Sequence, residues 1–224
     1  MKYSMSVSIA VILVSFSARA DVKVIYFGGA TAKKSVLNQC FPDFENYGYP
    51  ASSAAQNNVV NEINAHPNQQ YIIAGHSSGA LFADNVAKAK LLNPSRITLV
   101  DLDGYAPRNV PSAIKRVCVR AASTSHPGLH SRNYDSMNKS NNCEYVFTHS
   151  DAHCSSKNPK DMAWCLHFSI VNPQTPSGLG SGNWSSQGYK GCSEANLDWL
   201  NSTLKIGKPA TGFIESQADE AQRE

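Results

Sequence analysis

Ser77 stands at the centre of Gly75-His-Ser77-Ser-Gly79, a G-x-S-x-G spacing that serves nucleophilic chemistry when a strand precedes it and a helix follows. The pattern is common in Gly/Ser-rich chains, so its context decides. Tyr71 to Ala74 are apolar and partly β-branched, as a buried strand requires, and Ala80 to Lys90 are good helix formers with Leu81, Val86 and Ala89 available to face a core. A strand therefore runs into a helix across this turn. The two glycines permit a bend too tight for side chains and leave Ser77 exposed at a helix N-terminus.

A serine hydroxyl is too weakly acidic to attack a carbonyl unaided, so a histidine must take its proton and a carboxylate must orient that histidine. Downstream, Thr148-His149-Ser-Asp151-Ala-His153-Cys154 follows an apolar segment, and His167 lies in Trp164-Cys165-Leu-His167-Phe-Ser-Ile-Val171. Asp151 falls in the loop at the carboxyl end of a strand, where an orienting acid would be placed, and His167 comes after it in a second loop, as the general base. Asp103 is the alternative acid, and His149 and His153 are the alternative bases. His76 reads as a wall of the substrate site or as a hydrogen-bonded structural histidine. A glycine pair after the first strand, Tyr26-Phe-Gly28-Gly29-Ala30, marks close backbone approach. N–H groups of Gly29 or Ala30, together with that of Ser78, would hold the oxyanion of an acyl intermediate. His149, Asp151, His153 and Cys154 also have the residue types of a zinc site, but the i, i+2, i+4 ligands would converge only if the strand continued past Thr148, so no metal and no cofactor is expected.

These side chains need a scaffold that presents strand ends. Val22–Phe27, Tyr71–Ala74, Ile97–Asp103, Lys115–Ala122 and Cys143–Thr148 read as strands, and Ser53–Ala65 as a helix with Ala55, Val59 and Ile63 on one face. Residues 32–53 read as an irregular aromatic loop, Ala106–Ile114 as weakly helical, 123–142 as polar loop and Asn196–Leu204 as a terminal helix. Alternation of strands and helices implies an α/β chain, a three-layer sandwich around a mostly parallel central sheet with its chemistry at the strands' carboxyl ends.

The chain has 224 residues, enough for one domain with a single large core. Residues 1–20, with an early Lys2, an apolar run and Ala18-Arg-Ala20, read as a signal peptide. Residues 21–208 would be the domain and 209–224 a charged tail. The apolar run of the leader is too short for a membrane span, and no later stretch is long and apolar enough to be one. Removing Lys2 and Arg19 from the 20 basic residues leaves 18 against 17 acidic ones, scattered rather than clustered, which argues against nucleic acid. Six cysteines in an exported chain suggest disulfides and a secreted or periplasmic location. Cys143 and Cys154 bracket an extended strand, which at about 3.3 Å per residue holds them well beyond the roughly 5.5 Å that a disulfide spans. Cys154 with Cys165 is the preferred pair.

Taken together, Tyr-Phe-Gly28-Gly29, Gly75-His-Ser77-Ser-Gly79, and Asp151-x-x-Cys154 followed by a histidine resemble the α/β-hydrolase superfamily in a minimal form, nearest in size and layout to small secreted cutinase- and lipase-like serine esterases. The resemblance covers most of residues 22–172 in layout but these short segments alone in sequence. It implies an ester hydrolase with Ser77 as nucleophile, His167 as base, Asp151 as acid and Gly29, Ala30 and Ser78 as the oxyanion hole. It also implies a monomer acting on a small-molecule or lipid ester. Some lipase-like relatives carry the acid at the position of Asp103. An acyltransferase or thioesterase would use the same triad, and a binding protein of this fold would have lost it.

Overall fold

In the computed structural model, residues 22–30, 32–104, 109–121, 143–149, 154 and 159–171 are described. Among the described residues, six strands form one sheet: β1 (Val22–Phe27), β2 (Glu45–Tyr47), β3 (Gln70–His76), β4 (Ile97–Leu102), β5 (Lys115–Ala121) and β6 (Tyr145–His149). Their order is β2-β1-β3-β4-β5-β6, and every pairing is parallel. The helices are α1 (Lys34–Cys40), α2 (Ser53–Ala65), α3 (Gly79–Lys88) and α4 (Pro159–Ser169).

Period-two alternation along the strands sorts the core into two layers. Val24, Tyr26, Ile72, Ala74, Val100, Leu102, Val117 and Val119 pack with Leu37 and Phe41 from α1 and its end, and with Trp164, Leu166 and Phe168 from α4. Ile25, Phe27, Tyr71, Ile73, Ile97 and Leu99 point the other way, onto Val59 and Ile63 of α2 and Ala83, Val86 and Ala87 of α3. This is the three-layer α/β sandwich expected. Each such large apolar side chain taken out of water contributes about 1.5–3 kcal/mol.

Local signals explain the helices on the second face. Ser52 caps α2, its hydroxyl accepting from the Ala55 N–H at 3.1 Å, and Val59 and Ile63 are its buried residues. In α3 the buried stripe runs through Ala83, Val86 and Ala87, while Leu81, expected to face the core, is 46% exposed because it lies off that stripe.

Three differences from the sequence reading bear on the site. Residues 32–53 are not wholly irregular: they hold α1 and the short edge strand β2, whose buried Asn46 donates to the carbonyls of Phe41 and Phe44 at 2.7 and 3.0 Å. The segment before Ile114 is a turn rather than a helix in its described part, closed by Ile114 N–H to Pro111 C=O at 3.0 Å. His167 sits on a helix, α4, where a loop was expected. Pro159 at its start, Asp161 in its first turn and the helix formers Met162, Ala163 and Leu166 account for that helix.

Two disulfides are described in full. Cys154 pairs with Cys165, as preferred from sequence, with Cα atoms 5.4 Å apart, and Cys118 pairs with Cys143 at 5.9 Å. Cys40 is disulfide-bonded as well. The expected signal peptide, the helix at 196–204 and the tail at 209–224 fall outside the described residues.

Candidate active site

Ser77 joins β3 to α3 in a left-handed conformation, φ 54°, which residues other than glycine rarely adopt. The turn is held on several sides. Ser77 N–H donates to Leu102 C=O of the neighbouring strand at 3.0 Å, and Ser77 C=O accepts from Ala80 N–H at 3.2 Å. A Cβ on Gly79 would collide with the carbonyls of Phe27 and Gly28, so the helix can begin against the end of β1 only with glycine there. Gly29 lies against the same turn: a Cβ on it would come within 2.9 Å of Ser77 Cβ and 3.0 Å of His76 O. The loop expected to bind an oxyanion and the serine expected to generate one are therefore packed together. Ser78 precedes the first turn of α3, where the leading N–H groups have no intrahelical acceptor.

One strand over, the chain makes a second left-handed turn at Asp103, φ 48°. His76 and Leu102 are register partners at the ends of β3 and β4, so Ser77 and Asp103 leave adjacent strands at the same edge of the sheet. Asp103 is 1% exposed and fully engaged. Its N–H donates to Val119 C=O at 2.7 Å, its Oδ1 accepts from Ala121 N–H at 3.0 Å, and its Oδ2 lies 2.6 Å from Nδ1 of His167. A carboxylate can only accept, so Nδ1 carries the hydrogen, and the Nε2 of the neutral ring keeps its lone pair. That is the tautomer a general base requires.

Asp103, the alternative acid of the sequence reading, is thus the carboxylate in contact with His167. That contact joins two distant elements, the end of β4 and helix α4, and no local pattern encodes it. Asp151 and His153 lie outside the described residues, and of His149 only the backbone, in β6, is described. Cys154, one of the zinc-type residues, is bonded to Cys165.

Two further buried groups support the turn at Asp103, and sequence reasoning passed over both. Asp101 Oδ1 accepts from Gly104 N–H at 2.8 Å, and its Oδ2 accepts from Arg120 Nη2 at 2.9 Å. Burial pushes the Asp101 carboxyl up. Arg120 and the Gly104 N–H pull against that rise, and the charge of Asp103 adds to it. The available signal was two aspartates spaced two apart at the end of an apolar strand, with an arginine at the end of the next.

His76 is 0% exposed, and its Nε2 donates to the backbone carbonyl of His167 at 3.0 Å. Of its two sequence readings, the hydrogen-bonded structural one describes this contact.

No family model and no curated protein matches the chain. Among solved structures, it is similar to a candidate hydrolase of the alpha/beta superfamily from Xanthomonas campestris pv. campestris, with a TM-score of 0.39 and 9% identity over 66% of this chain and 96% of that one. It is also similar to a candidate YdeN-like hydrolase from Pectobacterium atrosepticum, with a TM-score of 0.32 and 16% identity over 57% of this chain and 76% of that one. Likeness at this level concerns the path of the backbone and carries nothing about chemistry.

Proposed function

We propose that the chain is an exported serine hydrolase that cleaves carboxylic esters of small molecules or lipids through an acyl-enzyme, with Ser77, His167 and Asp103 as its triad. The observation that carries this reading is the 2.6 Å contact of Asp103 with His167 Nδ1, both side chains 1% exposed, at the sheet edge where Ser77 makes its left-handed turn. In this mechanism Nε2 of His167 takes the Ser77 proton as Oγ attacks the acyl carbon. Asp103 holds the ring in its tautomer and stabilises the imidazolium that forms. N–H groups of Gly29 or Ala30 and of Ser78 receive the developing oxyanion. His167 then protonates the departing alcohol, and a water activated by the same nitrogen releases the acid.

The triad is tested with Ser77→Ala and with a fluorophosphonate probe, which phosphonylates an activated serine. Wild-type protein should label at Ser77 and hydrolyse short p-nitrophenyl esters, and Ser77→Ala should do neither. Ester hydrolysis at the wild-type rate by Ser77→Ala would dismiss the mechanism.

A further inference from the structure

The histidine beside the nucleophile has no place in that proton path, yet it is locked to the base. His76 immediately precedes Ser77 and projects onto the face of the sheet covered by α4, where Leu102, Trp164 and Phe168 pack. Its ring lies 4.5 Å from the His167 ring, centroid to centroid, and 5.5 Å from that of Phe168. A carbonyl can only accept, so the 3.0 Å contact with His167 O requires a hydrogen on His76 Nε2. The main-chain carbonyl of the base is thus tied to the side chain adjoining the nucleophile, and the base's own side chain is tied to Asp103. Those two anchors stand at the ends of adjacent strands, His76 as the last residue of β3 and Asp103 as the first after β4.

We propose that His76 is a positioning residue for the proposed reaction: by holding the His167 carbonyl, it sets the height of α4 over the sheet edge and hence the reach of the His167 ring to Ser77. A helix could hold a base in many registers against a strand edge. One directed hydrogen bond from the residue next to the nucleophile links the two partners' positions, so a displacement of one is carried to the other. A shift of about 1 Å in such a pair lowers turnover on the order of 10²-fold without weakening ground-state binding of substrate.

This inference rests on the serine-hydrolase reading, and its test separates the two. Three variants are compared: His76→Phe keeps a ring without a donor, His76→Gln places an amide N–H at the reach of Nε2, and His76→Asn places one at the reach of Nδ1. In hydrolysis of a p-nitrophenyl ester, Phe and Asn should lower kcat at least about tenfold with KM within about twofold, and should slow fluorophosphonate labelling in parallel. Gln should stay within about threefold of wild type. The second readout needs no turnover: the far-downfield proton resonance of the His167 Nδ1–H bond should persist in wild type and Gln and be lost in Phe and Asn. Wild-type kcat in Phe, a Gln variant as slow as Phe, or an Asn variant as fast as Gln overturns the proposal. Should Phe not fold, the order of Gln and Asn decides. If wild-type protein neither labels nor hydrolyses esters, the hydrolase reading fails, and the resonance still decides whether His76 positions His167.

Discussion

Replacing Asp103 by Asn removes one oxygen acceptor at a place where two donors converge. In the native site, Oδ1 takes the Ala121 N–H at 3.0 Å and Oδ2 takes His167 Nδ1–H at 2.6 Å. An Asn side chain offers one carbonyl oxygen and one NH₂ in the same space. If the oxygen stays on Ala121, the NH₂ faces Nδ1, and His167 must give up its Nδ1 hydrogen and carry one on Nε2, where it can no longer accept the serine proton. If the amide flips, a buried N–H of β5 faces a donor, at a cost of about 1–3 kcal/mol. The first arrangement is therefore preferred, and kcat should fall about 10³- to 10⁴-fold, the scale on which an inverted tautomer lowers turnover in serine-protease triads. At about 1.4 kcal/mol per decade that is about 4–5.5 kcal/mol of lost transition-state stabilisation. The assay is kcat and kcat/KM for a short p-nitrophenyl ester, run in parallel on Asp151→Asn, with thermal unfolding to show that both variants fold. Asp103→Asn should be crippled and Asp151→Asn within about twofold of wild type. If the two variants exchange these outcomes, the acid lies at Asp151, and the 2.6 Å contact serves packing rather than catalysis.

Other expectations follow from the same geometry. Gly29→Ala would place a methyl within 2.9 Å of Ser77 Cβ, so the oxyanion loop must move off the turn, and kcat should drop about 10²-fold with little change in melting temperature, read by ester kinetics and calorimetry. Opening the Cys154–Cys165 bridge, which spans a sequence separation of 11, should cost about 2.5–3 kcal/mol and loosen α4, seen as lower denaturation midpoint and activity in Cys154→Ser/Cys165→Ser; an unchanged midpoint would count against a constraining role. Lys23 bonds to Glu45 and Glu62 at 2.7 and 3.0 Å, with its side chain 38% exposed, so Lys23→Met should cost about 0.5–1 kcal/mol. Burial works against the Lys23 charge, but the two glutamates outweigh it and raise its pKa above 10.5; burial also opposes the Glu45 charge, but bonds from Lys23 and Tyr47 outweigh it and lower that pKa below 4.5. The Lys23 contribution is thus complete below pH 10.5 and lost as pH rises through its raised value, and that of Glu45 is complete above pH 4.5 and lost as pH falls through its lowered value. The gap in unfolding free energy between wild type and Lys23→Met should accordingly be widest between those limits, and a gap that stayed constant to pH 3 and pH 12 would refute the ionic account.

What the amino-acid order by itself determined is everything that acts over a few residues. The strand–turn–helix at Ser77 was legible because Gly75 and Gly79 record where the backbone must pass close to its neighbours, and α2 was legible because Ala55, Val59 and Ile63 repeat at the helical period. The parallel sheet followed from apolar runs alternating with helices, and the Cys154–Cys165 bridge from the reach of an extended chain. Helix α4 carried readable signals, a leading proline and a run of helix formers, but its cysteine, bridged to Cys154, and its aromatics read as part of a loop instead. Strand β2 carried almost none: three residues at a sheet edge become a strand only because β1 supplies the partner. The contact between Asp103 and His167 was decided by tertiary structure alone. Asp103 and His167 are 64 residues apart, and their meeting depends on how β4 ends, how β5 receives the Asp103 main chain and how α4 lies across the sheet. Hydrogen bonds of that kind depend on distances between separately folded elements, and a single sequence does not contain those distances.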